Sequence, residues 1–430
     1  MRIVVIGGGF GGVPAARHLE RFLRDRADVE MTLVSRENFF VITPLLFEAC
    51  SGRLELRHCA QPIRAALRRT RFVEATVESV DVDRRIVRAV AQDSTYDLPY
   101  DHLVVGLGAS TNEQLIPGSS NALTFKTMAD ALVLRNHLIE QFERADAAAE
   151  STTRRGCLTV VQIGGGLVGI ELLGELTAFA DDVLRFYPRL RRNEIRFMLF
   201  EAGPRVLPEI DEKLAAVARR VLERRGADIR VSTPVRAIEP GRVHIANEII
   251  DAGTIVLAAG IVPSAIAAAI PVERDQRGRI AVDATMRSRS HPQVWALGDC
   301  AAIPAPDGGF YPALAQHTVR EARHLARNIR AVIDGRAPTP FVFQPLGTMA
   351  SLGHTRGVAS VFGFRLTGFL AWWIRRTYYL FQMPRWDRRL RIVLDWTVAL
   401  FFRPDITKVE LRGEREQKEQ GAKGPRVPSC

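Results

Sequence analysis

Two stretches of the chain have the spacing needed to hold a phosphate. "IVVIGGGFGG" at residues 3–12 carries Gly7, Gly9 and Gly12, and "VQIGGGLVGIEL" at residues 161–172 carries Gly164, Gly166 and Gly169. In a glycine-x-glycine-x-x-glycine turn the first glycine permits the bend and the second lets backbone approach a pyrophosphate. The third lets the next helix pack on the preceding strand. The helix start then offers free N–H groups and a positive dipole end to the phosphates. Two such turns predict two bound dinucleotides. Two nicotinamides have little to exchange, whereas a nicotinamide can pass hydride to a flavin. The expected cofactors are therefore FAD and NADH, with FAD rather than FMN because the turn is built for a pyrophosphate.

The elements around each turn fit that chemistry. "RIVVI" is a short apolar run, as in a parallel strand buried on both faces, and "GGVPAARHLERF" continues as a helix. The next strand, "VEMTLV", ends at Val34, where an acid usually grips the ribose hydroxyls. Ser35 stands there instead, followed by Arg36 and Glu37. Either Glu37 reaches back, or Ser35 and Arg36 meet the ribose and adenine edge differently. The second unit repeats the order: strand "CLTVVQI", the turn, helix "IELLGELTAFA" and strand "EIRFMLFE", which ends on Glu201. That acid would bind ribose hydroxyls and repel a 2′-phosphate, favouring NADH over NADPH, while Arg205 keeps NADPH open. Segments "DHLVVGLGAST" and "TIVLAAGIVPS" are apolar strands ending in small residues, with Ala109 and Ser110 in one and Ala259 and Gly260 in the other. "HPQVWALGDCAAIP" ends a strand on Gly298-Asp299, an acid placed to hold a polyol.

A chain of 430 residues needs more than one core, and its formal net charge of +11 points to an anionic partner. Five scattered cysteines argue for a reducing compartment without a disulfide framework. No uncharged run approaches the ~20 residues that span a bilayer, and no secretory leader precedes the first strand. No ligand cluster for a metal or an iron–sulfur centre occurs, and no nucleic-acid reader motif accompanies the arginines.

The order GxGxxG, LGAST, GxGxxG, AAG, LGD resembles the two-dinucleotide flavoproteins typified by disulfide reductases. That resemblance implies that the first turn and Asp299, through the ribityl chain, hold FAD and that the second unit holds NADH. The redox CxxxxC of the disulfide reductases is missing from "NFFVITPLLFEACSGRLELRHCAQPI". Instead "ENFFVITPLLFEACSG", "GGGLVGIELLGEL" and "PALAQHTVREA" resemble type II NADH:quinone oxidoreductases. The resemblance implies that Thr43 and Pro44 line the flavin, that Glu171 matches a glutamate of that branch, and that Ala315 and Gln316 match its alanine–glutamine pair. Gln316, on a helix expected to begin near Pro312, would hydrogen-bond a quinone carbonyl. Glu171 would relay a proton or order water near it, or simply favour its helix dipole. Glu175 is expected to be structural.

After about Leu366 the sequence turns aromatic and basic. Leu370, Trp373, Ile374, Thr377, Tyr378 and Phe381 share one helical stripe, and Leu390, Val393, Leu394, Thr397 and Phe401 another. Arg385, Arg388, Arg389 and Arg391 lie between them, and Pro384 separates the two helices. Neither helix is expected to span; both are expected to lie in the headgroup plane, or to pack on the body or a second subunit. The expected fold is α/β, with two Rossmann-like domains and a C-terminal amphipathic helical membrane-binding segment. Residues 1–112 and 271–340 would form the FAD domain and 113–270 the NADH domain. Residues 341–410 would form the membrane and dimer region, and 411–430 a disordered tail. The function expected is a peripheral, non-electrogenic NADH:quinone oxidoreductase on the cytoplasmic face of the cell membrane, a homodimer delivering electrons to a membrane quinone. The alternatives are a sulfide:quinone oxidoreductase, a soluble reductase of a ferredoxin-like carrier and a membrane-bound NADH sensor with a structural flavin.

Overall fold

The computed structural model describes residues 1–345, 347–383 and 385–409. Pro384 and the proposed tail at 411–430 lie outside the described residues. Two five-stranded parallel sheets dominate. The first runs, in spatial order, Val294–Ala296, His102–Val105, Arg2–Ile6, Glu30–Ser35 and Arg71–Glu74. The second runs Leu123–Thr124, Thr254–Leu257, Thr159–Ile163, Arg196–Phe200 and Ala227–Arg230. Each sheet is built outward from the strand that precedes a glycine turn. Ile3 to Ile6 register against Met31 to Val34 on one side and His102 to Val105 on the other. Val160 to Ile163 do the same against Phe197 to Phe200 and Thr254 to Leu257. The strand order reverses beside each central strand, so each turn sits where such sheets bind ligands.

Ile3, Val4, Val5 and Ile6 are all buried, which explains why that strand reads as a continuous apolar run rather than an alternation. The turn that follows feeds helix α1 (Gly12–Phe22), and its counterpart feeds α2 (Leu167–Val183). Helix α3 (Ala315–Ile333) packs along α1 on the first sheet. The two small-residue segments meet each other: Ala109, Ser110 and Thr111 pair antiparallel with Pro263, Val262 and Ile261, joining the two halves.

A three-stranded antiparallel sheet, Gly347–Ser351, Gly357–Val361 and Phe364–Gly368, leads into helices α4 (Phe369–Gln382) and α5 (Trp386–Phe401). Among the described residues no helix is long and apolar enough to cross a membrane. The apolar stripes face outward: Phe369, Leu370, Trp373 and Phe381 on α4 are exposed, as are Leu390, Leu394, Val398 and Phe401 on α5. The inward face of α4 holds Ala371, Trp372, Arg375 and Arg376. The helices thus pack on the body through this inward face, one of the expected arrangements, while much of their apolar stripes stays exposed.

Candidate active site

The first turn is shaped by close approach. Gly7 has φ of 110°, and a Cβ on it would strike the carbonyl of Gly106. A Cβ on Gly12 would strike the carbonyl of Gly7, so strand and helix touch backbone to backbone there. Gly9 differs, because a Cβ built on it finds nothing within 4 Å. That open space lies at the start of α1, where no side chain caps the free N–H groups. A pyrophosphate fits such a cradle. Ser35 is buried at the end of its strand, against the backbone of Gly8. Arg36 and Glu37 are exposed and pair with each other at 3.3 Å; neither reaches back toward the turn through a hydrogen bond.

The second turn repeats the geometry. Gly164 has φ of 106°, Gly169 closes on the carbonyl of Gly164, and α2 starts without a side-chain cap. Ala259 stands close enough that a Cβ on Gly164 would meet its methyl at 2.7 Å, so the segment with Gly260 forms one wall. Glu201 is fixed by two backbone donors, Gly165 N–H to Oε2 and Gly203 N–H to Oε1, both at 2.6 Å. Its carboxylate thus faces the cradle, with Gly165 beside it. Arg205 donates to the carbonyls of Leu207, Pro208 and Ile210, so its guanidinium is committed to its own loop and does not await a 2′-phosphate. Glu209 was not anticipated: its Oε1 lies 3.3 Å from where a Gly166 Cβ would be.

Asp299 sits on a single turn after Gly298 and is largely buried, which raises its carboxyl above the usual range while Lys126 opposes the shift. Burial lowers the Lys126 ammonium, and Asp299 counters that. Glu321 of α3 accepts the Gly298 N–H at 2.9 Å. Burial, with Asp299 adding to it, pushes Glu321 up to about 8. Lys126 and Glu321 were missed from sequence because nothing local marks them; the fold brings them to Asp299 from distant segments. Polar groups of this kind around a buried acid suit a polyol and the charge of a reduced flavin.

Glu171 lies in the second turn of α2 and is buried. Arg375 of α4 pairs with it at 2.6 Å and also donates to the carbonyl of Pro44 at 3.1 Å. Ser351 N–H donates to Glu171 at 2.7 Å. Burial raises the Glu171 carboxyl, and Arg375 only partly offsets it. Neighbouring groups extend this layer. Ser51 Oγ donates to Glu175 at 3.1 Å, Arg376 holds Glu48, and Trp396 Nε1 of α5 donates to Glu48 at 2.8 Å. The carboxylates of Glu171 and Glu48 thus pin α4 and α5 to the body, a role the sequence did not announce. Thr43 and Pro44, on the short turn Thr43–Leu45, belong to the same neighbourhood through Arg375.

Helix α3 begins at Ala315 rather than near Pro312, because Leu314 is still extended. Gln316 is therefore in the first turn, uncapped at its N-terminus, and its amide donates to Gly347 O at 3.3 Å. Gly347 and Ser351 are the two ends of one strand, so Gln316 and Glu171 are bound to the same strand about 13 Å apart along it. The strand connects them; they do not touch. Cys50, Cys59, Cys157 and Cys300 are free and buried. Burial raises the Cys50 and Cys300 thiols to about 12, which leaves them protonated and poorly suited to sulfide chemistry.

Two parallel units, each opening a glycine cradle at a helix start, with a carboxylate at the ribose position of one and a buried lysine–acid cluster beside the other, define a two-dinucleotide oxidoreductase. Residues 1–322 match the family described as pyridine nucleotide-disulphide oxidoreductase, and the chain belongs to that family. It is 30% identical over 417 residues to a probable NADH dehydrogenase of Dictyostelium discoideum, covering 94% of this chain and 91% of that one. It is 28% identical over 418 residues to a type II NADH:quinone oxidoreductase of Mycobacterium tuberculosis, covering 93% and 88%. The solved structure of NDH2 from Plasmodium falciparum in complex with NADH has the same fold: TM-score 0.87 at 20% identity, covering 95% of this chain and 99% of that one.

Proposed function

We propose that this protein is a type II NADH:quinone oxidoreductase, oxidising NADH and reducing a membrane quinone while bound peripherally to a bilayer. Of two relatives matched over nearly all of the chain, one is named a probable NADH dehydrogenase and the other a type II NADH:quinone oxidoreductase. The observation that carries the reading within the molecule is the Arg375–Glu171 pair. It ties α4, with its exposed apolar face, directly to the helix that follows the NADH cradle, which is how a membrane-borne acceptor and a water-borne donor are served by one site. Bound FAD supplies a two-electron carrier that takes hydride from NADH and gives electrons to the quinone. The first cradle, Ala109, Ser110, Asp299 and Lys126 are assigned to FAD, and the second cradle with Glu201, Ala259 and Gly260 to NADH. Gln316 presents an uncharged amide donor to a quinone carbonyl. Glu171, paired with Arg375, relays a proton to the reduced quinone or orders water beside it. The cytoplasmic face of the cell membrane is the proposed location, consistent with free buried thiols in a reducing compartment. A homodimer is the proposed assembly, in which part of the exposed apolar surface of α4 and α5 is shared.

Rapid mixing separates the two half-reactions. Gln316→Leu and Glu171→Gln are expected to leave flavin reduction by NADH near normal and to slow reoxidation by quinone about tenfold, or ~1.4 kcal/mol. Glu171→Gln also strands Arg375 in the interior, so its melting temperature is expected to fall, whereas Gln316→Leu leaves it nearly unchanged. A slowed reductive half-reaction with normal quinone turnover would move both residues to the NADH side.

A further inference from the structure

One large cavity borders the first cradle at Phe10 and runs away from it. A groove of about 580 Å³ runs along the outer face of α1, between residues 66–69 and the C-terminal end of α4. Its floor is apolar, with Phe10, Val13, Phe40, Ile42 and Val319. Further down α1 its walls become basic: Arg17, Arg21 and Arg24 line it, joined by Arg68 and Arg69. Arg17, Arg21, Arg24 and Arg68 have no ion-pair partner among the described residues. Glu20, the one carboxylate in the lining, is already spent on the backbone N–H groups of Arg68, Arg69 and Thr70. His18 adds no charge, because burial and the surrounding arginines lower it to about 4.

The flavin cradle does not explain these arginines. Its phosphates belong at the start of α1, and Arg21, at the far end of the helix, lies about 14 Å further along it. A quinone does not explain them either, since it has no charge to meet them. The groove ends at Gln382, next to the exposed Phe381 on α4. It is thus continuous with the apolar surface assigned above to the membrane, and this inference rests on that assignment.

We propose that the groove binds an anionic phospholipid. Its phosphodiester headgroup is held by Arg17, Arg21 and Arg24, and an acyl chain lies on Phe10, Val13, Phe40 and Ile42 and returns to the bilayer past Gln382. Charge complementarity selects the headgroup, and continuity with α4 selects a lipid over a soluble phosphate. The site makes the protein prefer anionic membranes beyond what its net charge alone would give.

Flotation of the full chain with vesicles of phosphatidylcholine alone, and with part of it replaced by phosphatidylglycerol, tests this. The combined variant Arg17→Ala, Arg21→Ala, Arg24→Ala is compared with Arg189→Ala, Arg220→Ala, Arg224→Ala, which removes the same charge from exposed sites elsewhere. Melting temperature serves as the check on folding. The groove variant is expected to lose about tenfold or more of its preference for anionic vesicles, with the control losing far less. Equal loss in both variants would reduce the effect to diffuse electrostatics and overturn the site, as would an unchanged groove variant. Val319→Trp fills the floor and separates lipid from quinone: weakened anionic-vesicle binding supports the lipid, while intact binding with a raised KM for quinone would make the groove a quinone passage and overturn the proposal. Wild-type protein that bound neutral and anionic vesicles equally would refute the groove alone, and one that bound neither would refute the membrane assignment with it.

Discussion

In the first cradle the strand beyond the helix ends in Ser35, buried against Gly8; in the second it ends in Glu201, whose oxygens each accept a backbone N–H at 2.6 Å. The turns themselves are superposable in kind: Gly7 and Gly164 have φ of 110° and 106°, and Gly12 and Gly169 close on the carbonyls of Gly7 and Gly164. Backbone geometry is therefore common property, set by glycines and by the strand order. What distinguishes the two sites is which end of the dinucleotide has dedicated side chains. The second cradle has a fixed carboxylate, assigned above to the ribose. The first has none there and instead collects Lys126, Asp299 and Glu321 at the far end. A cofactor that must leave after each turnover is recognised by its ribose, and one that stays is held along its length.

The largest effect is expected from filling the first cradle. Gly9→Val adds a side chain where only open space surrounds the backbone, so the protein should fold, melt as the wild-type apoprotein does and come out colourless. Gly12→Val instead forces apart the strand and helix and should fail to fold. Flavin absorbance per chain, read beside the melting temperature, checks both; a fully yellow Gly9→Val would remove FAD from this turn.

A smaller effect is expected where the cradles differ. Glu201→Ala should raise the KM for NADH about tenfold and narrow the advantage over NADPH, leaving flavin content unchanged. Ser35→Ala, at the matching position, should change flavin retention little, because no hydrogen bond of the Ser35 side chain is lost. Parallel kinetics and flavin titration of the two variants make the comparison; equal loss with NADH and NADPH in Glu201→Ala would move the ribose contact elsewhere.

A further expected effect is a pH slope to which the first site contributes through Glu321. Burial pushes the Glu321 carboxyl up to about 8, above its unfolded value of about 4.5. The native state therefore binds more protons than the unfolded state between those values, and stability falls as pH rises from about 4.5 to about 8. Glu321→Gln keeps an acceptor for the Gly298 N–H and should flatten that slope in thermal melts of apoprotein. A slope unchanged by the substitution would assign it to other groups.

Both cradles were legible because each is a contiguous strand, turn and helix whose residues speak to one another locally. Glu201 was legible despite the inserted "DDVLRFYPRLRR", since it still ends its strand. Lys126 and Arg375 were not, because their charges acquire meaning only against Asp299 and Glu171, which the fold brings from elsewhere. The C-terminal helices show a second limit. Periodicity placed Leu370, Trp373 and Phe381 on one face and could not tell which face is inside. In an ordinary core the apolar face turns inward; here Arg375 and Arg376 do, because buried carboxylates await them, and the apolar residues are left exposed.

The central claim is that one cradle delivers hydride to the cofactor of the other and that a quinone then takes the electrons. Anaerobic mixing of the purified protein with NADH, followed by addition of a soluble quinone, tests it most directly. The account predicts that flavin absorbance bleaches on NADH, with NADPH and sulfide far slower, and returns at once with quinone. A flavin that stays oxidised in NADH would contradict it, and would leave a membrane-bound sensor in which the flavin is structural.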